Sequence, residues 1–299
     1  MTRPVTHIAR LLKWGRVLAR HGALRGIEQA PTTPAGVRRL ARLARLGTFQ
    51  PAQPDYAGAF TAIGPAAIKL GQALATRPDL VGEVAARNLL MLQDALPPVP
   101  FPGVKAQIEA ALGQPLSTLY AAFDETPVGS ASVAQVYRAI TPDGRDVAVK
   151  VLRPGVREKM ARDIETYEWA AAHVAAMGGE ASRLRPAHVV ADFKRWTARE
   201  LDLRREAASA SELAEIADAL PGYRVPGIDW DRTAGTVMTL EWIDGIKIAD
   251  REALIAAGHD VNALARRLVL SFLKQAISHG FFHADMHQGN LLVQADGTI

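Results

Sequence analysis

Residues 128–152 read VGSASVAQVYRAITPDGRDVAVKVL, and the reading of this stretch decides the fold. Val133 to Ile140 has the composition of a strand. Thr141 to Gly144, T-P-D-G, is a turn signal, and RDVAVKVL resumes a strand, so the stretch predicts a hairpin. Lys150 lies in the middle of the second strand. A lysine on a half-buried strand needs a partner, because an unpaired buried ammonium is costly. By itself this is a hairpin with a buried lysine stem.

The regions on either side have different periods. Residues 55–125 are Ala/Leu-rich and helical in pattern, broken by PPVPFP at Pro97 to Pro102. Helical periodicity returns from Arg157 to Leu220, interrupted at Gly178–Gly179. GYRVPGIDWD and AGTVMTLEWI predict two further strands, and Val261 to His279 a helix. FFHADMHQGNLLVQADGTI then alternates short extended pieces with turns, and no internal repeat is present.

With 299 residues, 48% hydrophobic and 22% charged, the composition is globular; it excludes a disordered, a collagen-like and a coiled-coil chain. The absence of cysteine excludes a disulfide framework, a thiolate zinc site and a cysteine nucleophile. No apolar run approaches the ~18 residues of a membrane span. The basic start lacks the apolar segment of a secretory signal, although an Arg-rich, acid-poor start also fits a mitochondrial-type leader. The net charge of +4 is uneven: residues 1–50 hold ten Lys/Arg and one acid, Glu28. An arm of this kind suits nucleic acid, anionic lipid or an acidic partner. Residues 5–27 predict an amphipathic helix, with Ile8, Leu11, Leu12, Val17 and Leu18 near one face and Arg10, Lys13, Arg16 and Arg20 mostly off it. Such a helix either packs on its own domain or lies on an anionic membrane surface. A second basic helix is expected over Gly36 to Gly47.

Three constellations carry chemistry. A strand lysine behind a small-residue loop is how protein kinases hold nucleotide phosphates. Here the loop is Val128 to Ala134, and Gly129, Ser130, Ala131 and Ser132 would let backbone approach a phosphate. His283-Ala-Asp285-Met-His-Gln-Gly-Asn290 has the H-x-D-x-x-x-x-N spacing of a kinase catalytic loop. Asp285 would stand beside the acceptor hydroxyl and Asn290 would ligate Mg²⁺. The rival readings are a metal site of His283, Asp285 and His287, or a structural loop. Third, Arg199 to Ala207 reads as a charged helix on which Glu206 could pair with Lys150, or as a solvated face. Loop, strand lysine, helix glutamate, a hinge strand at Thr239, Leu240, Glu241 and Trp242, and H-x-D-x-x-x-x-N occur in kinase order. Together they predict an α+β, protein-kinase-like fold.

At this point the sequence resembles the UbiB family of atypical kinase-like proteins. GPAAIKLGQALATRPDL resembles its K-x-G-Q signature, here Lys69, Gly71 and Gln72, and LQDALPPVPF the segment after it. GSASVAQVYRA resembles its alanine-rich loop, ELDLRREA its E-x-D motif (Glu200, Asp202) followed by Glu206, and FFHADMHQGNLLV its catalytic loop. The resemblance covers about residues 60–299. It implies a kinase-like fold with an N-terminal helical extension and an incomplete C-lobe. Residues 1–53 would be a basic arm, 54–126 the helical extension, 127–243 the N-lobe with a helical insert, and 244–299 a partial C-lobe. It also implies an ATP-dependent kinase or ATPase with Mg²⁺ that supports ubiquinone biosynthesis, a role once labelled 2-polyprenylphenol 6-hydroxylase.

In that reading Asp285 is the catalytic base and Asn290 the metal ligand. Gly129, Ser130, Ala131, Ser132, Lys150, Glu206, Glu241 and Trp242 bind ATP, while Lys69, Gly71, Gln72, Glu200 and Asp202 gate the pocket. Lys69 is expected to pair with Glu200 or Asp202. The implied partners are ATP or ADP, quinone-biosynthesis proteins or prenyl-lipid intermediates, and an anionic membrane surface, with no nucleic acid. The implied location is the cytoplasmic face of the inner membrane. The alternatives are a non-catalytic lipid-binding pseudokinase and a small-molecule phosphotransferase.

Three departures stand out. Met286 and Gln288 replace two prolines of the family's catalytic loop, and Gly129 stands where its small loop starts with alanine. The family's D-F-G motif would lie just beyond Ile299, so the chain reads as a fragment with weak Mg–nucleotide binding and little phosphoryl transfer.

Overall fold

A computed structural model describes residues 4–25, 35–48, 51, 53–92, 96–176, 185–284, 286 and 288–299, the side chains of residues 37 and 80 excepted. In chain order the helices are α1 Pro4–Arg20, α2 Ala35–Arg45, α3 Tyr56–Ile63, α4 Pro65–Ala75, α5 Pro78–Val81, α6 Glu83–Leu89, α7 Phe101–Leu112 and α8 Leu116–Leu119. After the strands β1 Ala122–Phe123, β2 Gly129–Ser130, β3 Ala134–Ile140 and β4 Asp146–Leu152 come α9 Val156–Ala176, α10 Pro186–Glu200 and α11 Leu203–Ala217. Strands β5 Ile228–Ala234, β6 Val237–Glu241 and β7 Ile246–Lys247 precede α12 Arg251–Ala256 and α13 Val261–Lys274, and β8 is Leu292–Val293. The Gly178–Gly179 interruption, Asp285 and His287 lie outside the described residues.

The chain packs as two units. The first comprises Met1–Pro98, Ser130–Ala134 and Arg153–Leu201. Its helices share a core in which Ile68, Leu89 and Leu92 are buried against Tyr56, Phe60 and Leu74. Helix α4 starts at Pro65, whose fixed φ suits the first helical position. Midway along it Gly71 admits close neighbours: a Cβ there would sit 2.5 Å from Leu92 Cδ1 and 2.7 Å from Phe60 Cδ1. Helix α1 is anchored to α9 by His7 on Thr166 (3.0 Å), by Arg10 beside Asp163 (3.7 Å) and by Trp14 against Tyr167 (5.2 Å).

The second unit comprises Val99–Gly129, Gln135–Leu152 and Asp202–Ile299. It holds an antiparallel sheet in which β1, β3, β4, β6 and β5 are neighbours in that order. The hairpin is formed, with Thr141 and Gly144 closing its turn. One sheet face carries Tyr137, Val147, Val149, Val151 and Val237, all buried under Val104 and Ile108 of α7. Four residues apart, those two α7 side chains form one stripe, and full burial stabilises by about 1.5–3 kcal/mol each. Helix α7 ends at Gly113, which takes the left-handed conformation at φ 70.

The packing units therefore follow different boundaries from those drawn along the chain. The expected extension 54–126 divides near Val99, because α7 and α8 bury against the sheet. The helical insert α9–α10 groups with the N-terminal helices instead of with the sheet. The expected strand over residues 222–231 is shorter, beginning at Ile228 after Pro226. Beyond the sheet, Leu220, Tyr223, Leu254, Leu264, Leu291, Val293 and Ile299 form a second core in this unit.

Candidate functional site

The site in the second unit begins with strand parity. Val147, Val149 and Val151 point to α7, so Ala148 and Lys150 stand on the other face of β4. The β4–β6 register sets Lys150 opposite Met238 and Ala148 opposite Leu240, so these four side chains share one face. Helix α11 supplies the partner. Its first turn is capped by Asp202, whose carboxylate accepts from the Arg204 backbone N–H at 3.3 Å and pairs with the Arg204 side chain. Glu206, one turn on, places Oε1 and Oε2 2.6 and 2.8 Å from Lys150 Nζ. The pair is half open to solvent, with side-chain exposures of 28% and 48%, so its value is geometric more than energetic.

Beside this pair is a cavity of about 650 Å³ lined by Glu206, Met238, Leu240, His283, Asn290 and Leu292, among others. Asn290 ends a 3₁₀ turn, Gln288–Asn290, and is exposed. The segment leading to it is tethered at its start, where the His283 backbone N–H donates to Gln275 Oε1 at 3.3 Å. Gln275 is fully buried and opens a π turn, Gln275–His279, that closes α13. π turns of this kind recur at functional sites. Tyr223 also lines the cavity, and burial raises its phenol pKa above the ordinary value against the opposing Gln275 hydrogen bond. A larger groove of about 830 Å³ runs along α13 past Leu270, Leu273 and Ile277, and no sequence-predicted site residue lines it.

The hinge strand places its side chains elsewhere. Glu241 is opposite Val147, so it stands on the face away from Lys150, where it pairs with Arg224. Trp242 Nε1 donates to Asp244 at 2.9 Å, and the Arg138 guanidinium lies 4.8 Å from the Trp242 ring. Arg138 in turn grips Asp146, whose carboxyl is held below the usual range by that hydrogen bond. Glu241 and Trp242 thus do not bring side chains to Lys150; Met238 and Leu240 do.

The small-residue loop belongs to the first unit from Ser130 on, and its polar groups turn inward. Buried Arg153 donates to Ala131 O (2.8 Å), Ser130 Oγ (2.8 Å), Pro97 O (3.0 Å) and Leu96 O (3.2 Å). Ala131 N–H closes on Ala134 O at 2.8 Å, and Ser132 is fully buried. Gly129 has room, since a Cβ there would meet only Val136 Cβ at 4.0 Å. Arg153 escaped the sequence reading because a guanidinium that collects backbone carbonyls leaves no motif.

The first unit also pairs Lys69 with Glu200. Lys69 Nζ lies 2.5 Å from Glu200 Oε1 and 5.7 Å from the Trp196 ring centre. Gly71 is buried and Gln72 half-buried on the same helix. Of the two acids expected for Lys69, Glu200 lies at ion-pair distance, and Asp202 caps α11. Among the described residues no group of three or more His, Asp or Glu could hold a metal ion, and two members of the His283–Asp285–His287 trio lie outside them.

Residues 91–299 match the model of the ABC1 atypical kinase-like domain. The chain belongs to the ABC1 atypical kinase-like family. A relative named "probable protein kinase UbiB" from Marinobacter nauticus is 44% identical over 231 residues, covering 77% of this chain and 42% of the relative. Another of that name from Xylella fastidiosa is 40% identical over 234 residues, covering 78% and 42%. The chain thus spans less than half the length of these curated relatives. A Mycobacterium tuberculosis protein, Rv3197, solved as a complex with erythromycin, superposes with TM-score 0.53 at 31% identity, over 78% of this chain and 58% of that one. The resemblance read from the K-x-G-Q, alanine-rich and catalytic-loop motifs and the kinase-like fold both hold. Among the described residues no helix is long and apolar enough to cross a membrane.

Proposed function

We propose that this chain carries the nucleotide-binding portion of a UbiB-type, ATP-dependent kinase or ATPase that serves ubiquinone biosynthesis. The observation that carries the reading is the Lys150–Glu206 pair beside a cavity that also takes in Asn290. An ammonium has three donors. Two are committed to Glu206, which aims the third at a nucleotide phosphate oxygen. The shared face of Ala148, Met238 and Leu240 offers the apolar wall that a base needs.

Asn290 would hold Mg²⁺ through its amide oxygen; the ion, when bound, neutralises charge on the phosphates. Asp285 takes the proton from the attacking hydroxyl or water. By the family resemblance Lys69, Gly71, Gln72, Glu200 and Asp202 would gate the pocket, and Arg153 holds Ser130 and Ala131 through hydrogen bonds. The link to quinone synthesis rests on the UbiB-named relatives. Asp285→Asn in the producing cell should stop quinone formation and leave Mg–ATP binding intact. Unchanged quinone output would overturn the catalytic reading in favour of a scaffold.

A further inference from the structure

We propose that the cleft between α1, the end of α3 and α9 is a binding site for a small soluble phosphate monoester that carries a free hydroxyl. The cleft encloses about 470 Å³ and lies wholly within the first unit. Helix α1 lines it with Arg10, Lys13 and Trp14, α3 with Ile63, and α9 with Lys159 and Asp163. None of these residues lines the cavity beside Lys150, so the proposal stands whether or not the chain binds ATP.

The floor of the cleft holds a carboxyl short of donors. Asp163 is only 7% exposed, and Arg10 Nε stands 3.7 Å from its Oδ1, beyond hydrogen-bond length. The Arg10 guanidinium donates instead to Thr166 Oγ1 at 2.6 Å and to the Arg162 carbonyl. Among the described residues no other donor reaches the Asp163 carboxyl. A buried acceptor left in this state is costly, and a ligand that donates to it relieves the cost. That donor is neutral. Arg10, Lys13, Lys159 and Arg162 all act to lower the Asp163 pKa, yet burial holds it above the ordinary value. An ammonium entering among four cations is repelled; a hydroxyl is not.

The mouth calls for the opposite charge. Lys13 and Lys159 are exposed, and among the described residues no carboxylate lies at ion-pair distance from either. Lys159 is set into the corner between α3 and α4: a Cβ on Gly64 would lie 2.6 Å from Nζ, so only glycine leaves the ammonium this place. Two uncompensated ammonium groups match the charge of a phosphate, about −1.5 to −2, better than that of a single carboxylate. Trp14 and Ile63 wall the space between mouth and floor and suit a carbon skeleton. Phosphate on the lysines and hydroxyl on Asp163 together describe a hydroxylated phosphate monoester such as a pentose phosphate.

Thermal unfolding of the full chain with ribose 5-phosphate, inorganic phosphate and ribose in parallel tests this. The ester is expected to raise the midpoint most, inorganic phosphate less and ribose not at all. Lys13→Ala/Lys159→Ala should raise the ester concentration needed for half the shift by about tenfold or more, and leave the unliganded midpoint unchanged because both side chains are exposed. Asp163→Ala should erase the preference for the ester over inorganic phosphate. Lys150→Ala and the distant exposed Lys105→Ala should respond as the parent does, which separates the cleft from the nucleotide cavity and from general anion binding. No shift with the ester, an equal shift with inorganic phosphate, an undiminished response in the double variant, or a response lost in Lys150→Ala would each overturn the proposal. So would binding seen only on vesicles that carry a phosphoinositide.

Discussion

The Lys69–Glu200 pair gives the sharpest energetic prediction. Its side chains are 10% and 26% exposed, and Glu200 Oε2 is buried without a hydrogen-bond partner. Lys69→Met keeps the aliphatic stem and removes the charge, leaving the Glu200 carboxylate uncompensated. Breaking one side of a buried pair costs about 3–5 kcal/mol, and the partial exposure of Glu200 reduces this to roughly 2–3 kcal/mol. Glu200→Gln should cost less, because Lys69 keeps its place over the Trp196 ring. The double variant should cost less than the sum of the two by about 2 kcal/mol, because neither charge is then stranded. Urea unfolding of the four proteins closes the cycle, with the midpoint read at constant slope. Single costs that simply add, within about 0.5 kcal/mol, would show that the pair is not coupled and that the geometry has been misjudged.

Three further outcomes follow from named contacts. Gly71→Ala should destabilise despite the better helix propensity of alanine, because Leu92 and Phe60 must both move; a net loss of about 1–2 kcal/mol is expected in thermal unfolding, and a gain would refute the close approach. Arg153→Met removes a donor from three carbonyl oxygens, of Leu96, Pro97 and Ala131, and from Ser130 Oγ, which keeps only its own bond to Leu96 O; a loss of roughly 3 kcal/mol and faster amide exchange over Ser130–Ala134 are expected, and unchanged exchange would deny the clamp. Burial raises the Asp163 pKa despite Arg10. Stability from this group is thus full below the unfolded carboxylate value near ~3.9 and is lost as pH rises through the higher folded one. Asp163→Asn should therefore shift the thermal midpoint more favourably at pH 7 than at acid pH, and the reverse order would contradict this sign.

Much of the fold could be read along the chain because its signals are local. The T-P-D-G turn marks the hairpin and the PPVPFP break leads into α7, but the charged run Arg199–Ala207 is not one helix: α10 ends at Glu200 and α11 starts at Leu203, because Asp202 caps the new helix. The partnership of Lys150 with Glu206 was reached through motif order, although 56 residues separate them. The face on which Glu241 sits could not be read. It depends on the β4–β6 register, and a slip of one residue exchanges the two faces. Asp202 reads as half of an E-x-D pair and also caps a helix, because a carboxylate before a helical run has backbone donors within reach. Arg153 and Gln275 act through backbone groups distant in sequence, and no spacing announces that.

The central claim is that Lys150, aimed by Glu206, receives a nucleotide phosphate. Its most direct test is the thermal midpoint of this chain with Mg–ATP and Mg–ADP, beside Lys150→Ala. Ligand at about 100 times its dissociation constant stabilises by about 2.7 kcal/mol. The account predicts an upward shift in the parent chain that disappears in Lys150→Ala; a shift of equal size in both proteins, or in neither, would contradict it.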